Sequence, residues 1–277
     1  MTYRNMPVAV SGSSNSSAYL PAQSVSVDYS TSFESNRKLG SSIDQNDQLR
    51  FVGDAPCSIS LSFVLHEGFG EAAYEFLSDT HNKTGSFGFD VMIGGNSFSG
   101  CFLDDYSVSV RPFEPVTVSA KFTSYDPSTD AITSANEQAF LNTALDSNQI
   151  VYGHTCPVLG NGGAVLERDI LSDINYKRNY NRTPIYTLGA SAASSHLVDG
   201  AEAVMALEAT GLKSLINYDG TKLIGSFAVE LKDAAGHSIS HFSDLTMPAG
   251  STVTAQSYNV GGGDTLVTNT TITHVIL

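Results

Sequence analysis

Apolar residues recur at every second position through most of this chain, and that period constrains its fold more than any other feature. Val25 to Phe33 (VSVDYSTSF), Ser58 to Phe63 (SISLSF), Ser86 to Ile93 (SFGFDVMI), Tyr106 to Val110 (YSVSV) and Val116 to Tyr125 (VTVSAKFTSY) all show it. Successive side chains of an extended strand point to opposite sides, so each stretch predicts a strand with one buried and one polar face. Gly94-Gly95-Asn96 predicts a hairpin turn, since Gly and Asn accept the positive φ of tight turns. Two stretches break the period. Glu71 to about His81 (EAAYEFLSDTH) spaces Ala72, Ala73, Phe76 and Leu77 for a helix lying on a sheet. Ser134 to about Asp146 opens with a Ser134 and Glu137 capping box and predicts a connecting helix.

Composition agrees with a β protein and narrows its partners. Of 277 residues, 41% are apolar and only 15% charged, with Ser, Thr, Asn and 24 Gly in place of the missing charge; about a quarter is usual. Fourteen Lys and Arg stand against 28 Asp and Glu, a net charge of −14, which argues against sequence-independent nucleic-acid binding because phosphate contacts need surface cations. Cys57, Cys101 and Cys156 are too scattered for a disulfide framework or a zinc site and are expected to be small buried residues. The first residues hold no apolar run of signal-peptide length, and no later stretch reaches a membrane span. These readings lead to the expectation of a product made in the cytoplasm without export, with Asn82-Lys83-Thr84 a chance sequon.

The two halves of the chain echo one another in order. Val27-Asp28-Tyr29 followed by Leu39-Gly40 matches Ile174-Asn175-Tyr176 followed by Leu188-Gly189. Val52-Gly53-Asp54 with ISLSF resembles Val198-Asp199-Gly200 with VMALEA. GSFGFDVMI (Gly85 to Ile93) resembles GSFAVELKD (Gly225 to Asp233), and VTVSA (Val116 to Ala120) echoes STVTA (Ser251 to Ala255). Charge divides equally as well: residues 1–128 and 129–277 each hold 7 Lys and Arg and 14 Asp and Glu. Tandem duplication is the better reading, with a first β domain over 1–128, a connector with a helix over 129–165, and a second β domain over 166–277. In the second copy the helix shrinks to about Leu212 to Asn217.

The passage from Cys57 to Tyr125 carries a family resemblance. Gly100 and Leu103, the polar strand Tyr106 to Val110, the turn with Pro112 and Pro115, and the strand Val116 to Phe122 are similar to the tail tube proteins of tailed bacteriophages and related contractile machines. The likeness covers most of the first copy and, more faintly, the second, which lacks a clear YSVSV strand. It implies a mainly β fold (all-β or α+β) of two tandem tube-like β-sandwich domains, each of two packed antiparallel sheets flanked by a short helix. It also implies six domain copies per ring, rings stacked into a tube, and a structural virion protein of the tail that works without catalysis or cofactor. A duplicated chain could close a pseudo-sixfold ring with three subunits instead of six. Expected partners are the chain itself and the sheath, baseplate and tape-measure proteins, with DNA passing without specific binding and no membrane.

Two sets of charges are candidate site residues on that reading. Asp28, Asp54, Asp104 and Asp105 would make an acidic lumen along which DNA slides. The loop from Phe33 to Phe51, with Arg37, Lys38 and Arg50, and the basic stretch Tyr176 to Tyr186, with Lys177, Arg178 and Arg182, would be arms touching a neighbouring subunit or ring. Other readings are a tube initiator, baseplate hub, neck or capsid decoration protein, and a carbohydrate-binding adhesin, although adhesins often expose Trp and this chain has none.

Catalytic and metal motifs are weak throughout. His237 and His241 lie four apart on an expected strand, about 13 Å from one another by strand rise, too far to share an ion. His66-Glu67 lacks the second His of a zincin motif, and His154 near Cys156 has no further ligand nearby. Neighbouring Asp104 and Asp105 would point to opposite faces of a strand, and a solvated turn is the expected place for them. No GxSxG, P-loop or GxGxxG before a helix occurs.

Overall fold

The computed structural model describes residues 8–11, 17–29, 33–35, 49–51, 56–69, 71–78, 88–94, 96–125, 129–131, 147–160, 171–188, 193, 195–210, 218–219, 221–239, 244–260 and 266–276. The fold is mainly β with antiparallel sheets. The first strands are β1 (Val8–Ser11), β2 (Ser17–Leu20), β3 (Ala22–Tyr29), β4 (Phe33–Ser35), β5 (Leu49–Phe51) and β6 (Cys57–Val64). They are followed by β7 (Phe89–Ile93), β8 (Asn96–Val110), β9 (Thr117–Ser124), β10 (Thr129–Ala131) and β11 (Val158–Leu159). Then come β12 (Leu171–Ile185), β13 (Ser195–Thr210), β14 (Tyr218–Asp219), β15 (Lys222–Leu223), β16 (Phe227–Glu230), β17 (Asp244–Met247), β18 (Thr252–Val260) and β19 (Leu266–Ile276).

The expected alternation governs burial. On β6 the odd positions Cys57, Ile59, Leu61 and Phe63 are buried, and on β9 the even positions Val118, Ala120, Phe122 and Ser124. Gly94, at φ 54, turns β7 into β8 with Ile93 facing Asn96. The helix expected over 71–81 is instead a 3-10 segment, Glu71–Leu77, preceded by another at Glu67–Phe69. It still buries Ala73, Phe76 and Leu77 as the spacing requires. The expected connecting helix over Ser134 to Asp146 and the shortened one near Leu212 to Asn217 lie outside the described residues.

Strand β8 organises the molecule. Its first half pairs with β7 (Ile93↔Asn96 to Phe89↔Cys101), which pairs with β1 and through it with β2. Its second half pairs with β9 on one side (Ser107↔Ser119) and β12 on the other (Ser107↔Lys177). Gly100 at φ 62 and a bulge at Asp104, between Leu103↔Phe122 and Asp105↔Lys121, mark the passage from one half to the other; bulges bend the strand that carries them. Two layers result. Phe76 of the 3-10 segment, Phe89 of β7 and Phe122 of β9 fill the space between them, with ring centroids 5.5 to 6.4 Å apart, and Phe63 of β6 joins at 6.1 Å from Phe76.

The broad sheet runs β3-β6-β9-β8-β12-β13-β19-β18 without a break. Its left four strands, β3-β6-β9-β8, are the first, second, last and last-but-one of their group in the chain. The right four, β12-β13-β19-β18, have the same order. The strand beside β18 is therefore β19, so the stretch Ser251 to Ala255 occupies the place of β8 and not that of Val116 to Ala120, with which the sequence echo pairs it. In the right half the hairpin β16–β17, with β11 at its edge, makes a separate three-stranded sheet over the core, burying Phe227, Val229, Leu245 and Met247.

Residues 147–160, inside the expected connector, are stitched to both halves. Val116 N donates to Val151 O at 2.8 Å and Val151 N to Leu65 O at 3.1 Å. Farther on, Glu230 N donates to Pro157 O at 2.9 Å and Val158 pairs with Val229.

Candidate assembly surfaces

Three surfaces follow from this arrangement. The first is the face of the eight-strand run turned away from the core. The pleat puts Ser26 and Asp28 of β3, Ser58, Ser60 and Ser62 of β6, and Ser119 and Lys121 of β9 on it. Asp105, Ser107 and Ser109 of β8, Asn175, Lys177 and Asn179 of β12, and Glu202 and Glu208 of β13 continue it. It is hydroxyl-rich and mildly acidic, with Asp28, Asp105, Glu202 and Glu208 against Lys121 and Lys177.

The acidic residues expected to act together occupy different settings. Asp28 is exposed on β3 and Asp105 faces the polar side of β8; Asp54 lies outside the described residues. Asp104 and Asp105 are not in a solvated turn as expected, because β8 continues through them and Asp105 pairs with Lys121 of β9 on one side and Asn179 of β12 on the other. Asp104 is the bulge residue, and its carboxylate accepts from Thr123 Oγ1 at 2.6 Å. Burial pushes its carboxyl above the ordinary carboxylate range, against the opposing pull of the Thr123 hydrogen bond and the charges of Lys121 and Arg182.

That direction fixes a sign. A raised folded-state pKa means the folded chain holds this proton more tightly, so ionisation of Asp104 opposes folding as pH rises through its folded pKa. Asp104→Asn keeps an acceptor for Thr123 and should raise the melting temperature at pH 7, by an amount equivalent to about 1 kcal/mol or less. The difference from wild type should close near pH 3.5. An unchanged difference across this range would show that the charge is not responsible.

The basic candidates are also divided. Arg37 and Lys38 lie outside the described residues. Arg50 sits on β5, in register with Glu34 of β4, in a separate two-stranded hairpin. The stretch Tyr176 to Tyr186 was expected as an arm; its first half is instead a central strand, flanked by β8 and β13. Lys177 is exposed, but Arg178 is buried, with Nη1 donating to Tyr176 Oη at 3.2 Å, which removes it from any outer contact. Arg182 is half-buried: its guanidinium lies 5.4 Å from the Phe102 ring centroid and 5.9 Å from that of Tyr180, and Nε donates to Leu103 O at 3.4 Å. Burial draws its pKa down, with Asp104 opposing.

The second surface is the far end of the β12–β13 hairpin. The ladder to β8 stops at Asn179↔Asp105 and the ladder to β19 at Ala201↔Ile276, whereas β12 and β13 stay paired out to Ile185↔Ser195. Beyond those limits the hairpin still packs on β8 and its neighbour, with the His196 ring 4.0 Å from that of Phe102 and 4.8 Å from that of Tyr125, and it carries exposed Ile185, Tyr186, Leu188 and Leu197, with Leu188 fully exposed.

The third is a cavity of about 480 Å3 at the other end of β12, where the two halves meet. Val110, Pro112, Phe113, Val158, Leu171 and Val229 give it an apolar lining, and His154 and Asp173 lie on its wall. Phe113 is 81% exposed and has φ 63, in a turn closed by Glu114 N donating to Arg111 O at 3.2 Å. A bulky residue in this left-handed region costs on the order of 1–2 kcal/mol. The turn is held by Arg111 Nε on Asp173 Oδ2 at 2.8 Å, by Gly153 N on Glu114 O at 3.0 Å, and by Phe113 stacking on His154 at 5.4 Å.

Neither the hairpin tip nor Phe113 stood out in the sequence, although RPFEP between two strands marks a turn with Pro at its second position. The remaining candidates for chemistry have structural roles. His66 is buried, with Nδ1 accepting from Gly68 N at 3.1 Å. His237 is not on a strand but in the turn after Gly236, with its backbone N on Asp233 Oδ1 at 2.8 Å and Nδ1 3.3 Å from Asp233 Oδ2; His241 lies outside the described residues. All three cysteines are buried free thiols, and burial pushes Cys101 up to about 12. Among the described residues no group of three or more His, Cys, Asp or Glu could hold a metal, and no helix is long and apolar enough to cross a membrane. No protein-family model and no curated protein matches the chain.

Proposed function

We propose that this chain is a structural virion protein, a tail tube subunit in which two copies of one domain are fused, and that it assembles into stacked rings forming a conduit for DNA. The observation that carries this reading is the eight-strand run, in which two four-strand groups of identical order join edge to edge at β8–β12. The same joint repeated between chains would link β18 of one to β3 of the next, because β18 corresponds to β8 and β3 to β12. Among the described residues the β3 edge is open, since β3 pairs only with β6, and the β18 edge is open past its start, where Val253 N donates to Thr221 O at 2.8 Å and Leu223 N to Ser251 O at 2.9 Å on either side of the Thr252 pairing with β15.

Each edge also carries apolar side chains in want of cover. Tyr258 and Val260 of β18 are 53% and 73% exposed, and Val25 and Val27 of β3 are half-buried. At the internal joint the corresponding side chains Tyr106, Val108 and Val110 are buried against Ile174 and Tyr176. Closing a sheet into a ring removes edges that would otherwise invite uncontrolled pairing. It would also leave the hydroxyl-rich face as a continuous wall. The mild acidity of that wall, with few cations to hold phosphate, suits passage of DNA without binding.

Three chains supply six domains, so the assembled ring should have a mass of about 88 kDa, three times 29.3 kDa. Native mass spectrometry with negative-stain imaging tests this: trimeric rings and tubes support the reading. A chain that stays monomeric at high concentration overturns it.

A further inference from the structure

We infer that copies of the chain join β18 to β3 in a single register, with Val260 opposite Val25, Tyr258 opposite Val27 and Ser257 opposite Asp28 of the next copy. The joint rests on the tube reading and adds to it the residues that must meet at each seam between chains.

The register follows from irregularities that occur twice. On β8 the bulge at Asp104 falls between the pairs Leu103↔Phe122 and Asp105↔Lys121; on β18 a bulge at Thr254 falls between Val253↔Ile272 and Ala255↔Thr271. A bulge inserts one residue at one place in a ladder, so Asp105 corresponds to Ala255, Val108 to Tyr258 and Val110 to Val260. The outer strands share another. Gln23 is the extra residue between Ala22↔Phe63 and Ser24↔Ser62, and Ser172 is the extra residue between Leu171↔Ala209 and Asp173↔Glu208. Val25 therefore corresponds to Ile174, Val27 to Tyr176 and Asp28 to Lys177. The inner ladders agree, since Val27 reaches Phe122 across Ile59 and Tyr176 reaches Ile272 across Met205.

Within the chain the two copies are joined by Val110↔Ile174, Val108↔Tyr176 and Ser107↔Lys177. Transferred to the open edges, these pairs become Val260↔Val25, Tyr258↔Val27 and Ser257↔Asp28. Side-chain volume fits as well. Each joint sets one Tyr against one Val, with the Tyr on β12 inside the chain and on β18 between chains, and packing tolerates exchanges that keep total volume. A slip of two residues one way would put Val260 over the bulge at Gln23, and the other way would carry Val25 past the end of β18. The cover on β18 also stops where it must: among the described residues it ends with Val253 N on Thr221 O, and the internal ladder starts at Asp105, the counterpart of Ala255.

Paired cysteines read the register directly. Cα atoms directly opposite lie about 4.5–5.5 Å apart, within disulfide reach, and diagonal ones about 7–8 Å, outside it. Val25 and Val260 of one chain stand at opposite edges of the eight-strand run, about 34 Å apart along the sheet, so a disulfide between them links two chains; the native cysteines are buried and do not compete. Rings of a Val25→Cys, Val260→Cys chain should oxidise to covalent dimers and closed trimers, and rings of a Val27→Cys, Val260→Cys chain should not. A second measurement uses exposed positions. Ser257→Asp sets two carboxylates opposite each other and should raise the concentration needed for rings roughly tenfold, since each ring has three such seams; adding Asp28→Lys should restore it. Rings that cross-link through the second pair and not the first, or a Ser257→Asp defect that Asp28→Lys fails to relieve, would overturn the register and leave the tube reading standing. Rings that cross-link through neither pair would overturn the joint. A wild-type chain that forms no rings would overturn the tube reading and this joint with it.

Discussion

Lysine at both Tyr258 and Val260 should leave the chain folded and stop it closing into rings. Both side chains are more than half exposed on β18, so the folded chain loses little, within about 0.5 kcal/mol per site for surface positions. In the ring the same positions would meet Val25 and Val27 of the neighbouring copy, where two ammonium groups would have to leave water without partners. Lysine on an edge strand is also the device by which natural sheets refuse further pairing. The expected result is a monomer by light scattering at concentrations about a hundredfold above those at which wild type forms rings. Val275→Lys is the control: it adds the same kind of charge at a residue 63% exposed on β19, a strand that lies between β13 and β18 and has Glu202 of β13 opposite Val275, and it should still form rings. Rings of the double lysine variant at wild-type concentration would remove β18 from the interface.

Gly153→Ala should be the most damaging single methyl in the described chain. A Cβ there would meet the carbonyl oxygen of Arg111 at 2.1 Å and its carbon at 2.6 Å. Both are backbone atoms, so no side chain can swing aside. The backbone on each side is also fixed, by Gly153 N on Glu114 O at 3.0 Å and by the Arg111 to Asp173 ion pair. Relief requires the connector to part from the turn after β8. A loss of about 3 kcal/mol is expected, in the range of overpacked or strained sites, which lowers the melting temperature by roughly 10 °C for a domain of this size. Gly236→Ala is the comparison. It has φ 89 and open space around it, so only backbone strain opposes the methyl and about 1 kcal/mol is expected. Equal melting temperatures for the two variants would mean that the connector yields easily.

The strands of the left half could be read from the chain because their signal is local. Cys57 to Val64 and Thr117 to Ser124 alternate cleanly, each has one buried face, and nothing distant is needed to recognise them. Asp104 and Asp105 misled because two adjacent acids usually mark a solvated bend. Here strand pairing on both sides carries β8 through them, with a bulge absorbing the extra residue. Arg178 misled for a similar reason: a run of Lys, Arg and Asn reads as an outer surface, and only the placement of β12 between β8 and β13 buries one cation of the three. The neighbour of β13 was beyond local reading altogether. Val253 and Ile272 face one another across β18 and β19, and nothing in either short stretch records which strand stands beside which. Leu188 and Phe113 were invisible for the opposite reason, being ordinary apolar residues made conspicuous only by exposure or backbone conformation.

The position of β19 has a consequence for how the chain comes together. It lies between β13 and β18, yet it follows both in the chain, and its partners on β13 are about 57 to 75 residues earlier. The left half can pair its four strands as soon as β9 has been made. The right half cannot begin its central ladder until the last of its strands has left the ribosome, because β13 and β18 have no other way to be joined. Pairings across such separations are slow to form, since loop closure must precede any gain from contact. A nascent chain therefore holds a finished left half beside an unfinished right one, with the β19-facing edges of β13 and β18 both bare for the interval. Conditions that slow synthesis near residue 266 should lengthen that interval, and the chains caught in it are the ones most exposed to capture by a neighbour's strands.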